Sequence, residues 1–351
     1  MTEIMERSAL APEIRTAGPR PLSEAARAAL EAGTADNTRR GYSSDWAAFT
    51  VWCAATGERP LPATAETLVE YVTYLAATPS ARTGRPLAPS SIRRALTSIR
   101  AAHRAAGVTP PEVIGARKVL SGHLDKLAKA KDPAARPRKA APATPRELRA
   151  MLADVDRTTL KGKRDAALLL LGFATAARVS ELSSLDVSSA TETEHGYDVH
   201  VYRHKVREWT DAPVMYGTDP ATCPVRALRA YLVALAEAGR TEGPLFVRID
   251  RHGRVAPPMM RRGQIIGDPT GRMTGEAIGD LVATLADRCD LKGEWSGHSL
   301  RRGFATAAYA AGSDLLSIAR AGGWGDGSRT LAGYVQTIDR VKNSPLIGIG
   351  L

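Results

Sequence analysis

The chain has 351 residues, which is enough for two domains with separate cores. Its hydrophobic content of 44% is typical of a globular protein, and no apolar run approaches the roughly 20 residues that a membrane-spanning helix needs. Three widely spaced cysteines (Cys53, Cys223 and Cys289) argue against a disulfide framework and a zinc site, so we expect a cytoplasmic protein.

The net charge of +11 is concentrated in one part of the chain. Residues 1–89 contain nine basic and ten acidic side chains, and residues 140–351 contain 27 basic and 24 acidic ones. Residues 90–139 contain twelve basic and three acidic side chains, a net charge of +9. A solvated helix face is the ordinary explanation of a charged run, but this concentration favours a surface that contacts the phosphates of a nucleic acid.

The first part of the chain is predicted to be a flexible tail (1–20) followed by a helical DNA-binding domain (21–131). Apolar residues at helical spacing predict helices over 22–32, 38–56, 64–77, 90–106 and 112–131. The aromatic residues of the second helix are interpreted as core. The fourth helix carries the candidate DNA-binding residues Arg93, Arg94, Arg100 and Arg104.

Residues 132–143 are rich in proline, alanine and basic residues, which is typical of an extended linker between domains. Arg136, Arg138 and Lys139 are therefore candidates for contacts with a duplex backbone.

A second domain is predicted over 144–340, with a C-terminal tail at 341–351. Arg164–Thr175 is apolar on nearly every side and indicates a buried helix. Short strands are then predicted at 185–187, 197–203, 212–216 and 244–247, with a hairpin turn at 207–211, a helix at 223–237 and a loop at 263–271. The expected fold class is mainly α with a small β-sheet.

Six side chains in this domain have the chemistry for cleaving a phosphodiester without a metal ion, a cofactor or a small-molecule substrate. Arginines bind phosphate oxygens, indole and imidazole groups donate hydrogen bonds, a lysine protonates a leaving oxygen, and a phenol oxygen attacks phosphorus. The six are Arg178, Lys205, His298, Arg301, Trp324 and Tyr334.

Each of these residues also has an ordinary explanation when it is taken alone. Arg178 and Glu181 are spaced as a structural ion pair, Lys205 is equally compatible with an exposed hairpin lysine, and Tyr334 with packing. The combination and its order along the chain favour a catalytic site.

The Trp295-Ser296-Gly297-His298-Ser299 run, the Ala321–Trp324 segment and the Val255–Pro257 segment resemble the tyrosine recombinases of the phage integrase family. The resemblance spans roughly residues 35–340. It implies a helical core-binding domain and an α+β catalytic domain that form a C-shaped clamp on double-stranded DNA. It also implies an inverted-repeat recombination site, one dimer per site and a homotetramer during strand exchange.

The resemblance further implies that the six residues form the active site, with Glu181 supporting Arg178. Tyr334 would carry a 3′-phosphotyrosyl intermediate, and no ATP would be needed. Such a protein would be cytoplasmic and nucleoid-associated. Two alternatives remain open: a type IB topoisomerase, which relaxes supercoils by the same chemistry, and a non-catalytic DNA-binding protein in which residues 299–321 form a helix-turn-helix.

Overall fold

The computed structural model describes residues 23–26, 29, 33, 36–80, 84–344, 346–347 and 349. The predicted tail 1–20, most of the predicted helix 22–32 and part of the predicted tail 341–351 lie outside the described residues. The chain divides into two units, residues 1–137 and 138–351.

The described part of the first unit is helical, as predicted. Its elements are α1 (Asp36–Thr56), α2 (Ala65–Ala77), α3 (Pro89–Ala105), α4 (Ile114–Lys129) and a 3₁₀ turn at Pro133–Ala135. The hydroxyl of Thr64 caps α2 by accepting a hydrogen bond from the Thr67 backbone. Phe49 of α1 is fully buried, and Trp46 and Trp52 pack against the same core. The interpretation as core is therefore confirmed for these three aromatic residues, whereas Tyr42, the fourth of the helix, is half-buried and lies outside this cluster.

The second unit contains most of the helices and both sheets. The helices are α5 (Pro145–Ala153), α6 (Leu160–Ala174), α7 (Val179–Ser184), α8 (Pro224–Glu237), α9 (Gly275–Arg288), α10 (His298–Ala310), α11 (Leu315–Gly322) and α12 (Arg329–Lys342). Every residue from Arg164 to Gly172 in α6 is buried, because this helix runs through the centre of the unit's core. The predicted buried helix is confirmed. Within the described ranges, no helix is long and apolar enough to span a lipid bilayer.

The main sheet is antiparallel, with strand order β1 (Ala190–Thr193), β2 (Gly196–Arg203) and β3 (Glu208–Met215). The predicted hairpin turn at 207–211 is wrong, because Tyr202 pairs with Trp209 and the turn lies at 204–207. The left-handed backbone of Arg207 (φ 60°) completes that turn. Glu208–Asp211 continue as strand because they pair along the edge of β2.

The strands predicted at 185–187 and 244–247 are also wrong. Asp186 and Pro244 form only a single bridge, and a 3₁₀ turn at Val187–Ser189 follows it. These apolar segments are too short to form a ladder, and β1 takes the place beside β2 instead.

A second antiparallel pair joins β4 (Met259–Arg261) and β5 (Gln264–Ile266). The loop predicted at 263–271 is therefore wrong in its first part. Arg262 and Gly263 both have positive φ, at 51° and 77°, which is the backbone of a tight two-residue hairpin turn. With these corrections, the expected fold class of mainly helical elements with small antiparallel sheets is confirmed.

Candidate active site

One cavity of about 180 Å³ in the second unit brings together all six residues proposed from the sequence. Although 156 positions separate Arg178 from Tyr334, both line this cavity. The remaining lining residues come from the hairpin turn and from the segment that precedes and begins α12. They are Val206, Gly323, Gly325, Ser328 and Thr330.

Arg178 is held by the acid three positions along the chain. The backbone turns sharply at Ala176, which has a left-handed φ of 47°, and Arg178 then occupies the N-cap of α7. The Arg178 backbone N–H donates to Glu181 Oε2 at 2.8 Å, and its Nη1 donates to Oε1 at 2.5 Å. Arg178 therefore reaches the cavity with part of its guanidinium already fixed.

Glu181 is fully buried and remains a carboxylate. Burial alone would raise its pKa, but the hydrogen bond from the Arg178 backbone and the charges of Arg178 and Arg203 outweigh this effect, so the pKa of Glu181 is lowered. One carboxylate thus serves two arginines.

Arg203, at the end of β2, is the part of this network that the sequence analysis missed. Its side chain is fully buried, and its Nη1 donates to Glu181 Oε2 at 3.1 Å. Its Nη2 donates to the carbonyl of Thr175 at 3.1 Å and its Nε to the hydroxyl of Thr210 at 2.9 Å. The alternation of strand residues could have identified Arg203. Alternate residues of β2 face the core, and Arg203 falls on that buried face two positions before Lys205.

Arg301 lies in α10 and is only 2% exposed. Its Nη1 donates to the carbonyls of Ala176 at 2.5 Å and Gly322 at 2.6 Å, and its guanidinium lies 3.6 Å from the centroid of the Trp324 ring. Its Nη2 is buried without a hydrogen-bond partner among the residues that the structure describes. Burial, together with the positive charge of Arg178, lowers the pKa of Arg301. A bound anion would accept a hydrogen bond from Nη2 and would offset both the burial of the Arg301 charge and its repulsion by Arg178.

His298 is the first residue of α10, and its side chain remains accessible at the cavity. Partial desolvation and the positive charges of Arg301 and Arg178 lower its pKa below the usual value. The neutral imidazole is therefore favoured at neutral pH, and a neutral ring nitrogen is able to accept a proton.

Trp324 and Tyr334 form one wall of the cavity. Trp324 is 8% exposed, and its ring meets the half-buried Tyr334 ring edge-on, with centroids 6.1 Å apart and an interplanar angle of 78°. The guanidinium of Arg302 lies 5.9 Å from the Tyr334 ring centroid. Lys205, in the turn between β2 and β3, is exposed and reaches the same cavity.

The position of Trp324 depends on Gly322, the last residue of α11. A Cβ at this position would lie 1.8 Å from Cζ3 of Trp324. We expect Gly322→Ala to lower the free energy of unfolding by about 1–3 kcal/mol, because the indole must move out of a packed wall. Urea unfolding measures this change.

Gly333→Ala in α12 is the matched control. A Cβ at Gly333 meets no described heavy atom within 4 Å, so alanine should be neutral or stabilise the helix by about 0.5–1 kcal/mol. Equal urea midpoints for the two alanine variants would contradict the packing argument.

The candidate DNA-binding residues lie outside this cavity. On α3, Ile92, Leu96 and Ile99 are buried, whereas the opposite face exposes Arg93, Arg94 and Arg104 and half-buries Arg100. Arg94 makes a two-pronged ion pair with Asp45 of α1 at 2.8 and 2.9 Å. Within the linker 132–143, Arg136, Arg138 and Lys139 are exposed.

Comparison with known proteins assigns the chain to a family. The phage integrase family matches residues 143–340. The integrase/recombinase XerD homolog of Selenomonas ruminantium is 31% identical over 303 residues, which cover 85% of this chain and 81% of that protein. The Cre recombinase of Escherichia phage P1 is 25% identical over 310 residues, covering 84% of this chain and 81% of Cre.

A solved structure supports the fold independently of sequence identity. The lambda integrase fragment 75–356, crystallised as a dimer bound to a COC′ core site, has a TM-score of 0.55 at 13% identity. The match covers 88% of this chain and 92% of that fragment. The family match, the identity to the XerD homolog and the predicted motifs agree, and the chain belongs to the phage integrase family of tyrosine recombinases.

Proposed function

We propose that the protein is a site-specific DNA recombinase that cleaves and rejoins strands through a 3′-phosphotyrosyl bond to Tyr334. The cavity around Arg301 is the observation that carries this proposal. Within the described part of the chain, the buried Nη2 of Arg301 has no hydrogen-bond partner. Arg301 lines the same cavity as Arg178 and Tyr334. A phosphate oxygen is the acceptor that fits a buried guanidinium beside a second arginine.

Charge explains how this cavity would favour reaction over simple binding. A phosphodiester carries one negative charge, and the five-coordinate transition state carries more. Arg178 and Arg301 are both held by protein contacts before any substrate binds. Their fixed positive charge is therefore matched better to the transition state than to the ground state, which is the condition for lowering the barrier.

The bond changes follow from the types of side chain at the cavity. The Tyr334 phenol oxygen attacks phosphorus while the bond to the 5′ oxygen breaks, which leaves the 3′ phosphate on the tyrosine. Neutral His298 takes the phenol proton, and Lys205 gives a proton to the departing 5′ oxygen. A 5′-hydroxyl from a partner strand reverses the step. Because one phosphodiester replaces another, the scheme needs no ATP, and we propose no cofactor.

We propose that the domains have separate tasks. Residues 21–131 and the basic linker 132–143 position duplex DNA through phosphate contacts, and the catalytic domain 144–340 performs the chemistry. The exposed arginines of α3 and the linker residues support this division. Arg94 contributes less as a free cation because it already pairs with Asp45. A cytoplasmic, nucleoid-associated location follows from the DNA substrate.

Within the family, we propose a site built as in Cre recombinase, although the XerD homolog shares the higher identity, 31% over 303 residues against 25% over 310. Support comes from the resemblance of three segments of this chain to Cre: Trp295–Ser299, Ala321–Trp324 and Val255–Pro257. We also propose a dimer on each inverted-repeat site and a homotetramer during exchange. Lambda integrase structures show a dimer bound to a core site and a tetramer bound to a Holliday junction.

The proposed function predicts the chemistry of the trapped DNA ends. Covalent complexes isolated from genomic DNA should carry the protein on a 3′ phosphate and leave a free 5′-hydroxyl, because the phenol displaces the 5′ oxygen. Polynucleotide kinase should therefore label the released 5′ ends without prior phosphatase treatment. Ends that become labelled only after phosphatase treatment would contradict the proposed polarity.

Sequencing of the same ends tests site specificity. We expect the attached ends to cluster at one inverted repeat, and strand exchange to require two copies of it. Ends scattered along the genome, with relaxation of supercoils by single plasmids, would instead support a topoisomerase.

A further inference from the structure

The β4–β5 hairpin lies in a segment whose charged side chains are all basic. Residues 251–267, which include the hairpin, contain four arginines and no acidic residue. Residues 140–351 as a whole carry a net charge of only +3. Of these four arginines, Arg254 lies 3.4 Å from the carboxylate of Asp250, whereas Arg261 and Arg262 belong to the hairpin itself.

The hairpin also exposes apolar side chains on both faces. Met259 pairs with Ile266, and Met260 pairs with Ile265, so that the two pairs point to opposite faces. These four side chains are 45%, 39%, 59% and 53% exposed, respectively. Two-stranded hairpins on their own are marginally stable in water, and such exposed apolar residues indicate a surface that another molecule covers.

The two ends of the segment are fixed to the domain. Val255 packs against the core, and the Ala256 backbone N–H donates to the carbonyl of Arg248 at 2.9 Å. On the far side, Arg272 donates to Asp186 Oδ1 at 2.6 Å and lies 3.8 Å from Asp268 Oδ2. The hairpin is thus an exposed arm on an anchored base, with Arg261 and Arg262 at its tip.

We propose that the β4–β5 hairpin is an additional DNA-binding element that lies in a groove of the duplex. A two-stranded ribbon fits a groove, its tip arginines would contact phosphates on either side, and its methionines and isoleucines would pack on sugars and thymine methyl groups. A second copy of the chain fits less well, because pairing two such hairpins would bring arginines together. This inference rests on the proposed function, since DNA is the substrate in both.

Salt dependence of binding tests the charged tip. The full-length protein is titrated into a fluorescein-labelled, mixed-sequence duplex of about 40 base pairs at several salt concentrations, and affinity is read by anisotropy. The slope of log affinity against log salt should become shallower by about 0.9 for each phosphate that the protein no longer neutralises, or about two for Arg261→Gln/Arg262→Gln.

Arg149→Gln/Lys161→Gln is the matched control, because it removes two exposed positive charges, on α5 and α6, that form no ion pair within the described ranges. It should leave the slope close to that of the parent. An unchanged slope in the hairpin variant, or an equal change in both variants, would overturn the inference. Thermal unfolding confirms that each variant is folded.

Met260→Ser/Ile265→Ser tests the more exposed of the two apolar faces. We expect affinity for the same duplex to fall about tenfold, with no change of salt slope, because no charge is removed. Unchanged DNA affinity together with a shift in oligomeric state, measured by analytical ultracentrifugation, would assign the hairpin to contacts between copies instead.

The outcome is separable from that of the proposed function. If the parent forms Tyr334-dependent covalent complexes and the hairpin variants bind as the parent does, only the hairpin inference fails. If the parent forms no such complexes, the proposed function fails, whatever the hairpin does.

Discussion

Replacing Arg301 by glutamine should slow single-turnover strand cleavage by about 10²–10³-fold, the loss expected when one fixed donor to a developing charge is removed. Arg301 is buried, its Nη1 is committed to two backbone carbonyls, and its Nη2 has no partner within the described ranges. Glutamine fills part of the space, but it has neither the positive charge nor the two parallel N–H donors of a guanidinium. Measurement at saturating protein separates this effect from DNA binding, which should change by only a few-fold.

Arg301→Lys separates charge from geometry. Lysine keeps a positive charge but cannot place two parallel donors, so its rate should lie between those of the parent and the glutamine variant. Arg320→Gln, at an exposed position of α11, is the charge-matched control and should cleave at the parental rate. Because Arg301 also donates to Ala176 and Gly322, thermal unfolding must show that each variant is folded. Parental cleavage by a folded Arg301→Gln protein would remove this residue from the site.

The helices and the site residues could both be predicted from the sequence, but for different reasons. The helices α1 to α4 were readable because each has a continuous apolar face at helical spacing, which is a local property. The six cavity residues were readable because their side chains share one chemistry. Spacing along the chain could not show that Arg178 and Tyr334 meet. The resemblance to the family implied it, and the cavity places both residues together.

Contacts between distant segments could not be read from local pattern. Arg203 was missed because its partners Thr175, Glu181 and Thr210 come from three different segments. Arg94 was predicted to contact DNA on the basis of its charge alone. Its ion pair with Asp45 joins residues 49 positions apart, and no periodicity within one helix predicts such a pairing.

The errors in the strands have several physical causes. Strand pairing is decided by the partner strand as much as by the residues themselves. The turn before β3 was placed too late because Arg207 adopts a left-handed backbone that glycine usually provides. The β4–β5 hairpin was taken for a loop, since its three-residue strands are shorter than the patterns that local periodicity detects.

The central claim is that the Tyr334 phenol becomes covalently attached to DNA, and Tyr334→Phe tests it most directly. The phenyl ring preserves the edge-on packing against Trp324, so folding and duplex binding should be unchanged. Tyr309→Phe is the matched control, because the Tyr309 hydroxyl bonds to Asp339 on α12 rather than facing the cavity.

The measurement uses a nicked duplex that carries a sequence recovered from the trapped genomic ends, and it resolves covalent complexes on a denaturing gel. The parent and Tyr309→Phe should both show a DNA-linked protein band, and Tyr334→Phe should show none. A band of parental intensity from Tyr334→Phe would contradict the account.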